Sequence, residues 1–395
     1  MLRFIKKISF LAIILLLFQN AKKNDVWGFY SHKLINEKAI FLLPTDLIPI
    51  FKVNLEELKH FAVAPDQRRH SSPHEAVRHY IDLDNWGVAP FSNVPRKYDR
   101  AVWKFGDIYF LNELDSDTLF IKEKATIQTS ELRDSIMAFF YEEVRYADND
   151  AKKWRLQGQS YFKEFPELNK YSHIYFHNIL DEWGILPYHL MTYQNRLKWA
   201  FIDQDVPNII RLAGEIGHYI SDGHVPLHTT VNYNGQLTGQ DGIHAFWETR
   251  IPELFATENY DFWTEPREYI EDKEKFFWDI ILDSHDLVDE VLGREMELRN
   301  SFPKDNQYCF DERLGVTQRI ECEEYARAYQ NSLNGMVENR MRDAITAVAS
   351  SWYTAWVDAG SPSLNIEKID FNIFSEIEQE AIKTDSLKIR KANNE

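Results

Sequence analysis

Along much of the chain, apolar residues recur at steps of three and four, which is the spacing of one face of an α-helix. One such run consists of Val337, Met341, Ile345, Val348, Trp352 and Trp356. Gly360 and Pro362 follow it, and both residue types commonly end helices. A second run consists of Ile209, Leu212, Ala213, Ile216 and Ile220. It stops before Pro226, so the pattern predicts two long amphipathic helices.

Three further segments show the same spacing. They are residues 276–291 with a break near Ser284, residues 132–144, and residues 188–202 after Pro187. The stretches IYFL (108–111) and TLFI (118–121) flank a polar turn, which predicts a β-hairpin. The predicted fold class is therefore all-α, with a β-hairpin insertion.

The composition favours one large domain. The chain has 395 residues, of which 44% are hydrophobic, enough to bury a sizeable core. Only 15 glycines and 14 prolines are present, and no linker is evident. We expect a domain over residues 27–360, followed by a polar tail, 361–395, that is either docked or disordered.

The N-terminal residues indicate export. Arg3, Lys6 and Lys7 precede an apolar run of eleven residues, 8–18, which is short for a membrane span and typical of a secretory signal. We expect residues 1–21 to be removed, or to remain as an uncleaved anchor, with no other stable membrane span. Removal deletes three positive charges from a formal net charge of −17, which leaves about −20. Such a surface opposes nucleic-acid binding unless the site itself is strongly positive.

Cys309 and Cys322 are the only cysteines. An exported chain permits a disulfide between them, worth roughly 3 kcal/mol for a loop of this length. We favour the disulfide over two free thiols. With no third cysteine, a cysteine-rich zinc site is excluded.

Histidines and carboxylates concentrate in GHYISDGHVPLHTT, residues 217–230. His218 and Asp222 are four residues apart, so both side chains emerge on one helix face, with Ile216 and Ile220 roughly opposite. His228 follows the break at Pro226, which can turn it towards the same cavity. Buried polar groups of this kind need partners, and a metal ion is one such partner.

The stretch IHAFWETRIPELF contains a second histidine followed four residues later by a carboxylate, namely His244 and Glu248. A single pair of this kind is common on solvated helices. Two pairs around His228, all within residues 218–248, favour a metal cluster instead. Imidazole and carboxylate are the ligands that zinc prefers when thiolates are absent.

Upstream, His32 follows Trp27 by five residues, Asp66 lies in APDQRRH, and His79 opens the stretch HYID. The order Trp–His, Asp, His-Tyr-Ile-Asp, His-x-x-x-Asp, Pro-Leu-His and His-x-x-x-Glu resembles the superfamily of zinc-dependent phospholipases C and single-strand-specific fungal nucleases. The resemblance covers spaced motifs over residues 27–256. It implies an all-helical domain with three zinc ions at the bottom of a cleft. The 138 residues between His79 and His218 exceed what either branch of that superfamily needs, which implies a helical or hairpin-containing insertion at about residues 106–180.

The resemblance also implies a role for each motif residue. The first zinc ion would be bound by Asp66, His79, His218 and Asp222. The second would be bound by His228, His244 and Glu248. Asp222 would bridge to a third ion, completed by His32 and by the amino and carbonyl groups of Trp27. That role requires Trp27 as the mature N-terminus, but Val26 is a poor cleavage residue, so either processing is unusual or the third site is weaker.

In the resembled enzymes the aspartate matching Asp66 can act as a general base. The residues matching Tyr80 and Asp82 would stack on a nucleobase and hydrogen-bond it. Alternatively, Tyr80 is a core aromatic and Asp82 supports a neighbouring ligand. His224, about 200° around the helix from Asp222, is expected to point elsewhere.

The function predicted is an exported zinc-dependent phosphodiester hydrolase, phospholipase C-like, in which a metal-activated water attacks phosphorus. Its partner would be a phosphodiester substrate, either a phospholipid or a single-stranded nucleic acid. A single-strand-specific nuclease is the close alternative, and a non-enzymatic zinc-binding surface protein is the second. The sequence does not predict the oligomeric state.

Overall fold

The structure is a computed structural model that describes residues 29–69, 73–112, 118–121, 130–144, 153–156, 159–313 and 316–370. The predictions for the signal segment 1–21, for Trp27 and for the tail beyond residue 370 lie outside the described residues. The described part is mostly helical, as the sequence predicts, but it also contains two antiparallel sheets.

The helices are short near the N-terminus and longer in the second half of the chain. They are α1 (Phe29–Ala39), α2 (Ile48–Val53), α3 (Leu55–Phe61), α4 (Ala64–Arg68), α5 (Pro73–Ala76), α6 (Tyr98–Phe105), α7 (Ser130–Phe139), α8 (Leu180–Trp183), α9 (Leu186–Ile202), α10 (Val206–Gly223), α11 (Ile243–Ala245), α12 (Ile251–Asn259), α13 (Lys273–His285), α14 (Val288–Ser301), α15 (Glu323–Ser332) and α16 (Met336–Asp358).

The strands are β1 (Asp107–Leu111), β2 (Thr118–Ile121), β3 (Lys153–Arg155), β4 (His173–His177), β5 (Tyr308–Arg313) and β6 (Val316–Glu321). Turns of 3-10 helix occupy Ile40–Leu42, Leu83–Asn85, Ser160–Phe162, Pro166–Leu168, Pro226–Thr229 and Lys304–Asn306. Two π-helical turns, Phe140–Val144 and Phe246–Arg250, extend α7 and join α11 to α12.

The helical predictions agree well with the structure. The run over residues 276–291 is divided into α13 and α14, close to the break expected at Ser284. The run over residues 132–144 forms α7 and its π-helical turn. The segment 188–202 lies within α9, which has Pro187 in its first turn, where the missing N–H costs no hydrogen bond.

Helix α10 lies at the centre of the helical core. Asp205 caps its N-terminus by accepting a hydrogen bond from the Asn208 N–H at 3.2 Å. The helix packs against α9, α3, α16 and α1, and every residue from 209 to 223 is buried. Burial of each isoleucine of its apolar stripe contributes about 1.5–3 kcal/mol. Because α10 is enclosed on all sides, its polar residues are held inside the protein.

Helix α1 approaches α10 closely at a glycine. A Cβ atom on Gly217 would overlap the side chain of Asn36. The Asn36 amide donates instead to the carbonyl of Gly214 at 3.0 Å. This contact places the imidazole rings of His32 and His218 only 4.2 Å apart, centroid to centroid.

The β-hairpin predicted at residues 108–121 is present, with Tyr109 paired to Phe120. Strand β4 pairs with the other edge of β1, and β3 pairs with β4, which gives the order β2-β1-β4-β3. The side chains of Ile108 and Ile174 on this sheet are buried. The sequence alone did not predict β3 and β4, since β4 pairs with a strand some sixty residues earlier.

A second hairpin, β5–β6, is closed by the disulfide Cys309–Cys322, whose Cα atoms are 5.0 Å apart. This confirms the favoured pairing of the two cysteines. The hairpin itself was not predicted. Among the described helices, none has both the length and the apolar character needed to cross a membrane.

Candidate metal centre

Three groups of histidine and carboxylate side chains lie together around α10. They are Asp66 with His79 and His218; His32 with His218 and Asp222; and His228 with His244 and Glu248. Within each group, one donor atom per residue lies within 4.8 Å of the others. The structure thus brings together eight of the nine predicted ligands, and Trp27 lies outside the described residues.

The first group joins α4, the turn after α5, and α10. The Nδ1 atom of His79 lies 3.0 Å from Nε2 of His218. An Asp66 carboxylate oxygen lies 3.7 Å from that His79 atom and 3.9 Å from that His218 atom. All three donor atoms therefore converge on one point.

The second group adds α1. Oδ1 of Asp222 lies 3.6 Å from Nε2 of His32, whereas its Oδ2 lies 2.9 Å from His79 and 3.3 Å from His218. The two oxygens of one carboxylate thus serve different histidines. Asp222 therefore contacts histidines of both the first and the second group; the resemblance implies a bridging role for it.

The third group is built from two short segments. Oε2 of Glu248 lies 2.8 Å from Nε2 of His244 and 3.3 Å from Nε2 of His228. The two imidazole nitrogens are 2.9 Å apart. Glu248 lies on the π-helical turn that follows α11, an irregularity frequent at functional sites. Its other oxygen, Oε1, lies 3.2 Å from Nε2 of His32, so Glu248 links the third group to the second.

These distances fit a shared cation. Two donors at 2.0–2.1 Å from a tetrahedral zinc ion lie about 3.3 Å apart. The separations in the third group are 2.8, 2.9 and 3.3 Å, and those in the first are 3.0, 3.7 and 3.9 Å. Facing imidazole nitrogens can share at most one proton between them, whereas a cation accepts a lone pair from each.

Two ligand histidines are held by backbone carbonyls on the side away from the centre. Nδ1–H of His218 donates to the carbonyl of Ala62 at 2.9 Å. Nδ1–H of His228 donates to the carbonyl of His79 at 2.6 Å. With the proton fixed on Nδ1, each Nε2 presents its lone pair to the centre, as a ligand must.

His79 is turned the other way, with Nδ1 towards the centre. Its Nε2 lies 3.7 Å from Oε1 of Glu75. Arg78 donates to Glu75 at 3.1 Å, and the hydroxyl of Tyr219 also donates to it. Glu75 precedes His79 by four residues on the chain, so its spacing was visible in the sequence, but it was not singled out there.

Burial and neighbouring charge act in opposite directions on the groups of the centre. Burial lowers the pKa of His79, but the hydrogen bond to Asp222 and the nearby carboxylates of Glu75 and Asp66 outweigh it and raise the pKa to about 9. Burial raises the pKa of Asp222, but His218 and His228 hold that pKa well below its usual range. A cation binding here therefore displaces protons from the histidines.

The centre is closed at its base and open at one side. The side chains of His32, His79, His218 and Asp222 are at most 3% exposed. Those of Asp66 and His244 are 25% and 21% exposed. A ligand in solution would therefore reach the centre past Asp66 and His244.

The two predicted substrate contacts lie beside the ligands rather than among them. Tyr80 is partly buried and donates its hydroxyl to the carbonyl of Glu182 at 3.3 Å. Burial and the charge of Asp84 raise the pKa of Asp82 to about 7, against a lowering by His228. Tyr233, which the sequence did not single out, sets its ring edge-on against His244 at 5.9 Å.

His224 does not join any of the three groups. It donates Nδ1–H to the carbonyl of Ile220 at 2.7 Å, which agrees with the prediction that it points elsewhere. A cavity of about 900 Å³ between α13 and α16 contains no residue of the three groups and is therefore separate from the metal centre. Its lining includes the carboxylates Glu268, Asp283 and Asp343.

No protein-family model matches the chain, and no curated protein matches it at a significant level.

Proposed function

We propose that this protein is an exported zinc-dependent phosphodiester hydrolase of the phospholipase C type. The observation that carries the proposal is the convergence of eight histidine, aspartate and glutamate side chains into three donor groups. Two of the groups share His218, and the third is linked to them by the contact of Glu248 with His32. Adjacent cation sites that share carboxylates are suited to holding both the attacking and the leaving oxygen of a phosphoryl group.

The donor chemistry supports zinc. Five imidazoles and three carboxylates make up the groups, with no thiolate among them. Magnesium and calcium prefer oxygen ligands, whereas imidazole with carboxylate suits zinc. Tetrahedral donor spacing, argued above from the third group, points the same way.

The three groups would hold the ions in distinct roles. One carboxylate oxygen of Asp222 and one of Glu248 would face His32. The other oxygen of each would face the histidines of a neighbouring group. The cations would supply Lewis acidity, which lowers the pKa of a water and neutralises phosphoryl oxygens. Buried His32 and His218 would exclude bulk water from the base of the centre, which strengthens these electrostatic interactions.

Asp66 is the proposed proton acceptor. Its side chain is the most exposed of the ligand carboxylates, and one oxygen faces His79 and His218. The second oxygen is then available at the open side to take a proton from the attacking water. General-base catalysis of this kind contributes typically 10²–10⁴-fold in rate.

Charge favours a substrate with one phosphate over a long polyanion. Three divalent ions bring about six positive charges, and Asp66, Asp222 and Glu248 offset three of them, so the centre attracts a phosphodiester. The whole chain carries a formal charge of −17, which repels the many phosphates of a nucleic acid outside the centre. A zwitterionic phospholipid headgroup does not meet that repulsion.

The disulfide supports the proposed export. Cys309 and Cys322 form a bond of a kind that persists in oxidising compartments and is rare in the cytosol. Together with the apolar N-terminal run, it favours a periplasmic or extracellular location.

The test compares hydrolysis of phosphatidylcholine vesicles, single-stranded DNA and a nitrophenyl phosphodiester, with and without chelator. We expect chelator-sensitive hydrolysis of the lipid and of the nitrophenyl ester. Cleavage of DNA alone would make the protein a nuclease that uses Tyr80 and Asp82. No chelator-sensitive turnover on any substrate would favour a zinc-binding surface protein without catalytic activity.

The Asp66→Asn variant tests the base assignment in protein that metal analysis shows to have retained its zinc. In that zinc-loaded protein we expect the rate to fall by about 10²–10⁴. Asp289→Asn, an exposed position on α14, is the matched control and should leave the rate unchanged. Near-full activity of a zinc-loaded Asp66→Asn protein would end the base assignment.

A further inference from the structure

A small cavity lies beside the candidate metal centre. Its volume is about 20 Å³, and its polar lining comprises Ser31, His32, Ser221, His224, Trp247, Glu248 and Arg340. One water molecule needs roughly 10–15 Å³ measured this way. The cavity therefore has room for a water molecule. We call it the His32 cavity.

Two of its lining side chains carry a buried nitrogen with no hydrogen-bond partner among the residues that the structure describes. They are Nδ1 of His32 and Nε1 of Trp247. Leaving a buried polar group unsatisfied costs about 1–3 kcal/mol, so native proteins rarely do so without a bound water or ion. The opposite nitrogen of His32, Nε2, faces Asp222 and Glu248. Nδ1 is thus the nitrogen of His32 that is turned away from those carboxylates.

The same cavity offers two hydroxyl oxygens as acceptors. Ser31 donates its hydroxyl proton to the carbonyl of Glu248 at 3.1 Å, and Ser221 donates to the carbonyl of Gly217 at 2.7 Å. Each hydroxyl proton is therefore already used in a hydrogen bond, and each oxygen keeps a lone pair that can accept another. Two N–H donors and two oxygen acceptors are the partners of one fully bonded water molecule.

We infer that the His32 cavity binds one ordered water, which accepts from Nδ1–H of His32 and from Nε1–H of Trp247 and donates to Ser31 and Ser221. The water fixes the proton of His32 on Nδ1. Nε2 then presents its lone pair to the cation between Asp222 and Glu248. Trp247 is a positioning residue in this arrangement, because it binds the water that orients His32, the proposed metal ligand. The inference rests on the proposed metal-binding role of the centre.

His32 differs from His218 and His228 in this respect. His218 and His228 donate Nδ1–H to backbone carbonyls, which fix their tautomers directly. His32 has no such carbonyl, so the water supplies the equivalent contact. Outer contacts of this kind typically change metal affinity by 10–100-fold when they are removed.

The first test is the pair Trp247→Phe and Trp278→Phe. Both tryptophans are buried, and both have an Nε1 without a protein partner, but Trp278 does not line the cavity. Zinc affinity is measured by competition with a chelating dye. We expect Trp247→Phe to bind the weakest of the zinc ions 10–100-fold less tightly, and Trp278→Phe to bind all of them as the wild type does. Equal zinc affinities in Trp247→Phe and the wild type would overturn the inference.

The second test observes the tautomer of His32 and the bound water directly. In zinc-loaded protein with ¹⁵N-labelled histidine, we expect the His32 proton on Nδ1. A crystal structure at about 1.2 Å should show one water bonded to His32 and Trp247. A dry cavity, or a proton on Nε2 in zinc-loaded protein, would overturn the inference and leave the hydrolase proposal standing. Failure of the wild type to bind zinc would instead contradict the proposed function, and the water would then be sought in the metal-free crystal.

Discussion

The two carboxylate oxygens of Asp222 face different histidines: Oδ2 lies 2.9 Å from Nδ1 of His79, and Oδ1 lies 3.6 Å from Nε2 of His32. His79 follows α5, His32 lies on α1, and Asp222 lies on α10 between them. A single buried carboxylate therefore connects donors from three parts of the chain. Its removal should disturb more than one cation site.

We expect Asp222→Asn to lose more than one zinc ion per molecule. The amide oxygen is a weaker, neutral ligand, and the amide nitrogen presents hydrogens to a histidine instead of a lone pair. Elemental analysis after dialysis measures the loss. Asp82→Asn, next to the centre but outside the three groups, is the control and should keep the wild-type metal content. A full metal complement in Asp222→Asn would contradict the bridging role.

Removal of the metal should destabilise the folded protein without unfolding it at room temperature. A ligand that binds only the folded state stabilises it by about 4 kcal/mol at a thousandfold excess over its Kd. Calorimetry in zinc and in chelator should therefore show a lower midpoint in chelator. The same comparison on Asp222→Asn should give a smaller difference. An unchanged wild-type midpoint, with metal loss verified, would show that the centre does not couple cation binding to folding.

Gly217→Ala should weaken the contact between α1 and α10. An added Cβ overlaps Asn36, and overpacking of this kind costs about 1–3 kcal/mol. Because His32 lies on α1, we also expect weaker zinc binding. Gly293→Ala on α14 is the matched control: nothing lies within 4 Å of the added methyl, and the helix should gain up to about 1 kcal/mol. Urea unfolding and zinc titration measure both effects, and equal behaviour of the two variants would disprove the packing argument.

The carboxyl of Asp82 should make the metal-free protein less stable as the pH rises from about 4 to 7. Its pKa is raised to about 7 by burial and by Asp84, above the unfolded value of about 3.9. A raised pKa favours the protonated folded state, so this contribution is complete below the unfolded pKa and is lost as the pH passes the folded pKa. The Asp82→Asn variant has no carboxyl group at this position, so it lacks this pH-dependent contribution to the free energy of unfolding.

Urea unfolding of metal-free wild type and Asp82→Asn at pH 4.5, 6 and 8 measures this contribution. We expect the variant to gain stability relative to the wild type between the first and last of these pH values. A parallel pH dependence in the two proteins would show that Asp82 titrates normally.

The sequence by itself determined the long helices, the first β-hairpin and many of the chemical groups. The three-and-four spacing of apolar residues predicts α10 and α16 because side chains three and four apart share a helix face. The same rule places His218 beside Asp222 and His244 beside Glu248. Glu75 and His79 have this spacing as well, but a lone pair of this kind carries little weight when its burial is unknown. The cysteine pairing followed from there being only two cysteines.

Only the tertiary structure decided which of these groups meet. His32 and Glu248 are 216 positions apart, and no local spacing predicts that their side chains lie 3.2 Å from each other. The packing of α1 against the π-helical turn, where Ser31 also donates to the carbonyl of Glu248, produces that contact. It depends on two elements that are distant in sequence. Likewise β4 joins β1 through hydrogen bonds whose partners the chain order does not specify. Local periodicity sets the face on which a side chain emerges, whereas only three-dimensional packing sets what that face touches.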